Sequence, residues 1–402
     1  MSTTTPNTPK RAGSAATDPK NQNTYLTVRK IDGKPGKVYY PLQLHTAPIP
    51  EPGPGEVLVE LHAAALNHRD LFIRQHLYPG ISFTHPLLAD GCGTVIRCGD
   101  GGSSEESTSS KQLLNRRVIL TPTRGWHQSP DGPEDLKKYT VIGGSQSTPA
   151  GAAQRYIALP AAEVELLPDH LTAVEGAALP LVGVTAWRAL VTKCLDGDLT
   201  KAPGRNILVT GIGGGVALQA LQFGVALGCN VYVTSGDAAK LQRAVSELGA
   251  KGGVNYRDRD WDAQLSKMLP KDRPYLDAVV DGAGGDLVAR TTRLLRPGGV
   301  LACYGMTLGP SMSWSMGAVL KNIELRGSTM GSRAEFAAMV AFVRRHRVRP
   351  VVSRAVRGGG LEDLDAIDGL YDDMRQGKQF GKFVIEISPE PGRAEEAVAA
   401  KL

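Results

Sequence analysis

Ten residues constrain this chain more than any others: Leu208-Val209-Thr210-Gly211-Ile212-Gly213-Gly214-Gly215-Val216-Ala217. An apolar run too short for a helix enters a turn with four glycines in five positions and leaves as a helix. Glycines let the backbone come close to a pyrophosphate, and the helix N-terminus offers free N–H groups and partial positive charge to an anion. Gly211, Ile212, Gly213, Gly214, Gly215 and Val216 are therefore expected to cradle a dinucleotide, with Ala217, three residues after Gly214, closing the glycine-rich fingerprint in place of its last glycine. Any α/β domain can make a tight turn from glycines. Here a strand precedes, a helix follows, and a second strand ends at Val233, as a βαβ unit requires.

The same rhythm continues around this turn. Apolar strands at 207–209, 231–233, 253–254, 276–280 and 300–304 alternate with helical patterns at 216–227, 240–248, 261–268 and 287–295, the last ending at Pro297-Gly298-Gly299. Short strands alternating with helices predict a parallel, doubly wound α/β sheet. Upstream, residues 25–28 and 57–61 alternate like half-buried strands. Residues 67–74 suit a short helix and 88–96 a strand, while 99–110 is a Gly/Ser/Glu loop. Residues 122–151 form a long turn-rich stretch, and loops of that length usually bind or cover something.

At 402 residues, two or three domains are expected. A balance of 46 Lys+Arg against 40 Asp+Glu, with Arg344-Arg345-His346-Arg347 the densest basic run, gives no reason to expect nucleic acid. The five cysteines are odd in number and lack a Cys-x-x-Cys pair, which argues against a disulfide framework and for a reducing compartment, the cytoplasm. Residues 1–20 lack the apolar core of a secretory signal, and residues 216–233 are interrupted by Gln219, Gln222 and Asn230, so no membrane span is expected.

The end of the second strand selects the dinucleotide. NAD sites usually carry an acid there for the ribose 2′-hydroxyl. This chain has Ser235, with Lys240 and the Tyr256-Arg257 pair nearby, which suits the 2′-phosphate of NADPH; Asp237 keeps NADH open.

Taken in order, Ala65-Leu66-Asn67-His68-Arg69-Asp70, Asp90-Gly91-Cys92-Gly93, Leu179-Pro180-Leu181-Val182-Gly183, the glycine turn, Arg296-Pro297-Gly298-Gly299 and Gly381-Lys382-Phe383-Val384 resemble the medium-chain dehydrogenase/reductase superfamily. The likeness is strongest to its zinc-independent, quinone-oxidoreductase-like branch. Gly125-Trp126 with Gly132-Pro133-Glu134 resembles a mainly fungal and bacterial subgroup. The resemblance implies a GroES-like β-barrel catalytic domain over residues 24–165 and 331–390, a Rossmann domain over 166–330, and tails at 1–23 and 391–402. It also implies a homodimer and a small-molecule substrate.

Zinc-dependent members place catalytic ligands where this chain has Asn67, Ala89 and Leu181, none a thiolate, imidazole or carboxylate, so no metal is expected. Without a Lewis acid, alkoxide chemistry is hard, whereas hydride addition to an activated double bond needs only positioning and hydrogen bonds to the developing enolate. The resemblance therefore implies reduction of enones, enals or quinones. It points to Asn67, Asp70, Arg74 and Tyr78 for the chemistry, Tyr78 as a hydrogen-bond donor or proton relay. Thr185, Gly282, Ala283, Tyr304, Gly305, Met306, Phe380 and Lys382 are expected to join the glycine turn, Ser235, Lys240 and Tyr256 around the cofactor. For Asn67 and Asp70 a helix cap, and for Thr185 a hydroxyl bonded to its own helix, are the structural alternatives. Two other functions share the scaffold: a trans-acting enoyl reductase for acyl thioesters, and a nucleotide-binding module with little catalysis.

Overall fold

The computed structural model describes residues 22–101 and 110–390. The two expected terminal tails lie almost wholly outside the described residues, as does most of the expected 99–110 loop.

Six parallel strands form one sheet, in the spatial order Gly252–Asn255, Asn230–Ser235, Asn206–Val209, Leu276–Asp281, Leu295–Cys303, Glu324–Gly327. Asn206–Val209 and Leu276–Asp281 are buried at every position, as central strands covered on both faces must be. The chain order reverses between these two strands, so a crevice opens at their carboxyl ends, where open α/β sheets bind ligands. The glycine turn sits at that point and runs into the helix Gly215–Ala226.

One expected boundary moves. The helix from Leu287 ends at Thr291, and Pro297-Gly298-Gly299 lies inside the strand Leu295–Cys303. A register shift between Leu276 and Ala278 absorbs the extra residues, with Gly298 at φ +64°.

The second sheet runs Val352–Val356, Lys382–Glu386, Glu56–Ala65, Asp90–Cys98, Arg117–Leu120, Val164–Leu166, with Tyr156–Pro160 also on Glu56–Ala65 and a separate hairpin Gln22–Val28/Leu42–Pro48. The hairpin begins inside the stretch expected as tail: Asn23 is buried and donates to Gln154 Oε1 and Tyr156 O. The chain thus starts in the barrel, leaves for the Rossmann sheet and returns with Val352–Val356. The helix Arg333–His346, expected with the returning half, packs on the Rossmann side instead. Phe342 lies tilted against Trp187 and meets Phe223 edge-on, 5.1 and 5.6 Å between centroids. Among the described residues no helix is long and apolar enough to cross a membrane.

Candidate active site

The glycine turn is held through its own backbone groups, with one side-chain hydroxyl among their partners. Gly211 N–H donates to Thr234 Oγ1 (3.1 Å), Ile212 N–H to Thr234 O (2.8 Å), and Gly381 N–H reaches across to Gly213 O (3.0 Å). Gly213 has φ +127°, and a Cβ there would lie 3.2 Å from Gln379 O, so only glycine fits without strain. Gly214 and Gly215 open the helix, whose first N–H groups face the crevice end of the sheet, with Val216 half-buried behind them.

At the end of the second strand Ser235 Oγ accepts from Asp237 N–H (3.2 Å) and donates to Ile212 O (3.4 Å). The Asp237 carboxylate caps the next helix, accepting from Ala239 and Lys240 N–H. Lys240 Nζ donates to Gly377 O (2.7 Å), its stem lying over Gly213. The Tyr256 hydroxyl and Arg257 Nε crowd the Cα of Gly236. Ser235, Lys240 and Tyr256 thus gather at one corner, and Arg257 joins them.

On the other side of the crevice a carboxylate outside the expected set organises the turn. Asp281 Oδ1 accepts from Thr210 Oγ1 (2.5 Å) and Ala283 N–H (3.0 Å), and Oδ2 from Gly284 N–H (2.9 Å); burial raises its pKa, against the pull of these hydrogen bonds. An acid closing the buried run Leu276-Asp277-Ala278-Val279-Val280-Asp281 was its sequence signal. The Tyr304 ring lies so close over Gly282 that a Cβ would come within 2.5 Å, and Gly305 and Met306 continue along the same edge. Thr185 spends its hydroxyl on Leu181 O of its own helix (2.7 Å). Phe380 is buried with the Arg243 guanidinium 4.1 Å above its ring.

Facing the cradle is a buried polar cluster assembled from distant parts of the chain. Lys382 Nζ donates to Asn67 Oδ1 (2.5 Å) and to Asp90 Oδ2 (2.8 Å). Asn67 Nδ2 donates to the same Asp90 oxygen (3.0 Å), and Asp90 Oδ1 accepts from Leu181 N–H at the start of the helix Pro180–Trp187 (2.8 Å). Lys382 is 4% exposed and Asp90 not at all, and the Lys382 stem passes over Gly215. Asp90, unassigned from sequence although it opens a quoted motif, therefore ties the barrel, the Rossmann entry helix and the returning strand together.

Asp70 lies one turn further on. Its Oδ2 accepts from Asn67 N–H (2.8 Å), half of a helix cap, and burial, only partly offset by Arg69, pushes its pKa up to about 6. Arg74 is not brought to the cleft. Its guanidinium is sandwiched between Tyr39 and Tyr371, pairs with Asp368 and donates to Tyr40 O (2.9 Å), pinning the helix Leu364–Arg375. Tyr78 is half-buried under the Arg69 guanidinium, 4.7 Å from its ring, on the wall of a cavity of about 690 Å³ with Lys30, His76 and Phe83.

The long loop is a built wall. Glu134 accepts from His127, Gln128 and Ser129 N–H, which holds its carboxyl down to about 2. Trp126 O and His127 O accept from Arg333 and Ala334 N–H at the start of the helix Arg333–His346. Arg188, paired with Glu335, donates to Pro130 O (2.7 Å) and lies 4.5 Å from the Trp126 ring.

Residues 53–169 match the family model described as alcohol dehydrogenase GroES-like domain, and residues 215–345 the one described as zinc-binding dehydrogenase. A zinc-type alcohol dehydrogenase-like protein (YogA) of Leptosphaeria maculans is 58% identical over 365 residues, 90% of this chain and 99% of the relative. The chain belongs to the medium-chain dehydrogenase/reductase superfamily. Among solved members, a crystal structure described as a putative alcohol dehydrogenase from Sinorhizobium meliloti superposes with a TM-score of 0.76 at 28% identity, over 91% of this chain and 99% of its own. A trans-enoyl reductase (tazE) of Aspergillus terreus is 31% identical over 256 residues, 62% of this chain and 76% of its own. The protein is an oxidoreductase of this superfamily.

Its members' names invoke zinc, but the residues here do not suit that metal. Asn67, Ala89 and Leu181 stand at the ligand positions the resemblance assigns, and an ammonium already holds Asn67 Oδ1. Among the described residues no group of three or more His, Cys, Asp or Glu could hold a metal ion.

Proposed function

We propose that this protein uses NADPH to reduce an electron-poor carbon–carbon double bond or a quinone, without a catalytic metal. The observation that carries the reading is the Lys382–Asn67–Asp90 cluster facing the cradle, where a metal-dependent relative would need thiolates or imidazoles. A bound dihydronicotinamide supplies the hydride. The backbone of residues 211–216 takes the pyrophosphate. Ser235, Lys240, Tyr256 and Arg257 would hold the 2′-phosphate, the nearby acid Asp237 being occupied as a helix cap. Gly282, Ala283, Tyr304, Gly305 and Met306 flank the cofactor on the far side of the crevice, and Thr185 and Phe380 pack beside it.

The acceptor takes hydride at its β-carbon, its π electrons move onto the carbonyl oxygen, and the α-carbon then takes a proton. Asn67, fixed by Lys382 and Asp90, presents a rigid polar floor, and Asp70 holds the Asn67 backbone. Tyr78 reaches the rim. An enoyl thioester is an acceptor of the same electronic class, which a relative named as a trans-enoyl reductase makes a second substrate class to test.

Thermal shift separates the cofactors: NADPH raises Tm by several degrees more than NADH at equal concentration, because a ligand that binds only the folded state stabilises it. An equal or larger shift with NADH overturns the 2′-phosphate assignment. Stoichiometric zinc in the purified protein overturns the metal-free chemistry.

A further inference from the structure

A cavity of about 650 Å³ lies between Trp126, Pro133 and Leu136 of the long loop and Gly327, Ser328 and Thr329 at the end of the last Rossmann strand, Glu324–Gly327. Spaces of this size with mostly apolar walls hold small organic molecules. One end adjoins residues placed beside the cofactor. Ser328 N–H donates to Cys303 O (2.9 Å), next to Tyr304, and the Thr185 hydroxyl reaches Met330 Sδ (3.7 Å). Thr329, between these two anchored residues, is exposed on the cavity wall.

The loop side of the cavity is rigid. The Trp126 indole N–H donates to Ser129 O (2.9 Å), and the Arg188 guanidinium lies 4.5 Å from its ring. A wall held this way loses little freedom when a ligand arrives. Its charges favour a neutral occupant. Arg188 is the one cation among the described walls, and it is already spent: Nη1 donates to both Glu335 oxygens (2.9 and 3.1 Å), Nη2 to Pro130 O (2.7 Å) and Asp131 O (3.3 Å). The Asp131 residue stands exposed at the lip and adds a negative charge there. An anionic group entering this space gains no free cation and meets a carboxylate, whereas an apolar one gains Trp126, Pro133 and Leu136.

We propose that this cavity is the specificity pocket of the reductase and holds the uncharged apolar substituent of the acceptor. The assignment rests on the reductase reading above and adds the substrate class: neutral enals and enones bearing an aryl or comparably large apolar group, in preference to short-chain or anionic ones. Gly327 sets the room available. A Cβ at this strand position meets no heavy atom within 4 Å, so a valine, a good strand former, fits the fold while filling space at the wall.

The test measures steady-state kinetics with NADPH for wild type, Gly327→Val and Leu136→Ala. The probes are cinnamaldehyde, crotonaldehyde and 4-carboxycinnamaldehyde. In wild type, KM for cinnamaldehyde is expected about tenfold below that of either other probe, the scale on which a pocket discriminates size and charge. Gly327→Val raises KM for cinnamaldehyde about tenfold and leaves crotonaldehyde and NADPH affinity within about twofold. Leu136 is 77% exposed, so its truncation spares the fold; Leu136→Ala raises KM for cinnamaldehyde about threefold with kcat and crotonaldehyde unchanged. Equal KM for the three probes in wild type, or variants that affect cinnamaldehyde and crotonaldehyde alike, overturn the pocket while leaving the reductase reading standing. Should Gly327→Val fail to fold, an unchanged KM for cinnamaldehyde in Leu136→Ala overturns it alone. A wild type that binds NADPH yet reduces no enal, enone or quinone overturns the reductase reading and the pocket together.

Discussion

The two faces of the cleft are built by opposite means. The cradle is mostly backbone: four glycines within five positions, a helix start, and Thr234 of the adjoining strand end, whose carbonyl and hydroxyl both accept from it. The opposite face is side chain: Asn67, Asp90 and Lys382, with 315 positions separating its lysine from its asparagine. A backbone site is written locally and tolerates change in its flanks. A side-chain cluster gathered from three strand ends exists only after the whole chain has folded, and each member depends on the others.

The sharpest way to break that contrast is Lys382→Met. It leaves Asp90 charged and buried without its cation, so stability should fall by about 3–5 kcal/mol, the usual cost of halving a buried ion pair. Asp90→Asn added to Lys382→Met should restore part of that loss, measured by urea unfolding. If the two changes simply add, the cluster is not one unit.

Asp70 sharpens the comparison through pH. Its pKa is near 6 in the folded protein against an ordinary value of 3.8, so between these values the folded state binds more protons and stability falls as pH rises. Asp70→Asn should remove that component. The stability gap between wild type and variant then shifts by about 2–3 kcal/mol from pH 3.5 to 7, to the wild type's disadvantage, since each unit is worth about 1.4 kcal/mol. A gap that does not move with pH would show that folding leaves the carboxyl's pKa at its ordinary value.

The smallest effect belongs to the cradle. Lys240→Ala should weaken NADPH about tenfold and leave NADH within twofold, roughly 1.4 kcal/mol of selective loss by titration calorimetry. Equal losses would assign Lys240 to holding Gly377 O rather than phosphate.

This asymmetry also sets what could be read from sequence. The doubly wound sheet and its turn were legible because strand, glycines and helix are contiguous, and the helix at 67–74 emerged as His68–Arg74. Asp90 and Asp281 escaped as site residues because nothing local separates a structural carboxylate from a solvated one; only the partners from distant segments do. Arg74 failed for the converse reason: its spacing matched a pattern, but Tyr39, Asp368 and Tyr371 captured its guanidinium. The helix Arg333–His346 changed sides because Phe342 found Trp187 and Phe223, an affinity that a boundary drawn on rhythm cannot foresee.

The docking of Trp126 O and His127 O on the first turn of Arg333–His346 has a mechanical consequence. A loop from the barrel half is bolted to a helix of the other half, and Arg188 reaching Pro130 O adds a second fastener along the same rim. Any swing of one half against the other must then pivot about this rim, so the gap widens only on the side away from it. On the reading proposed above, cofactor and substrate would enter and leave by the unfastened edge.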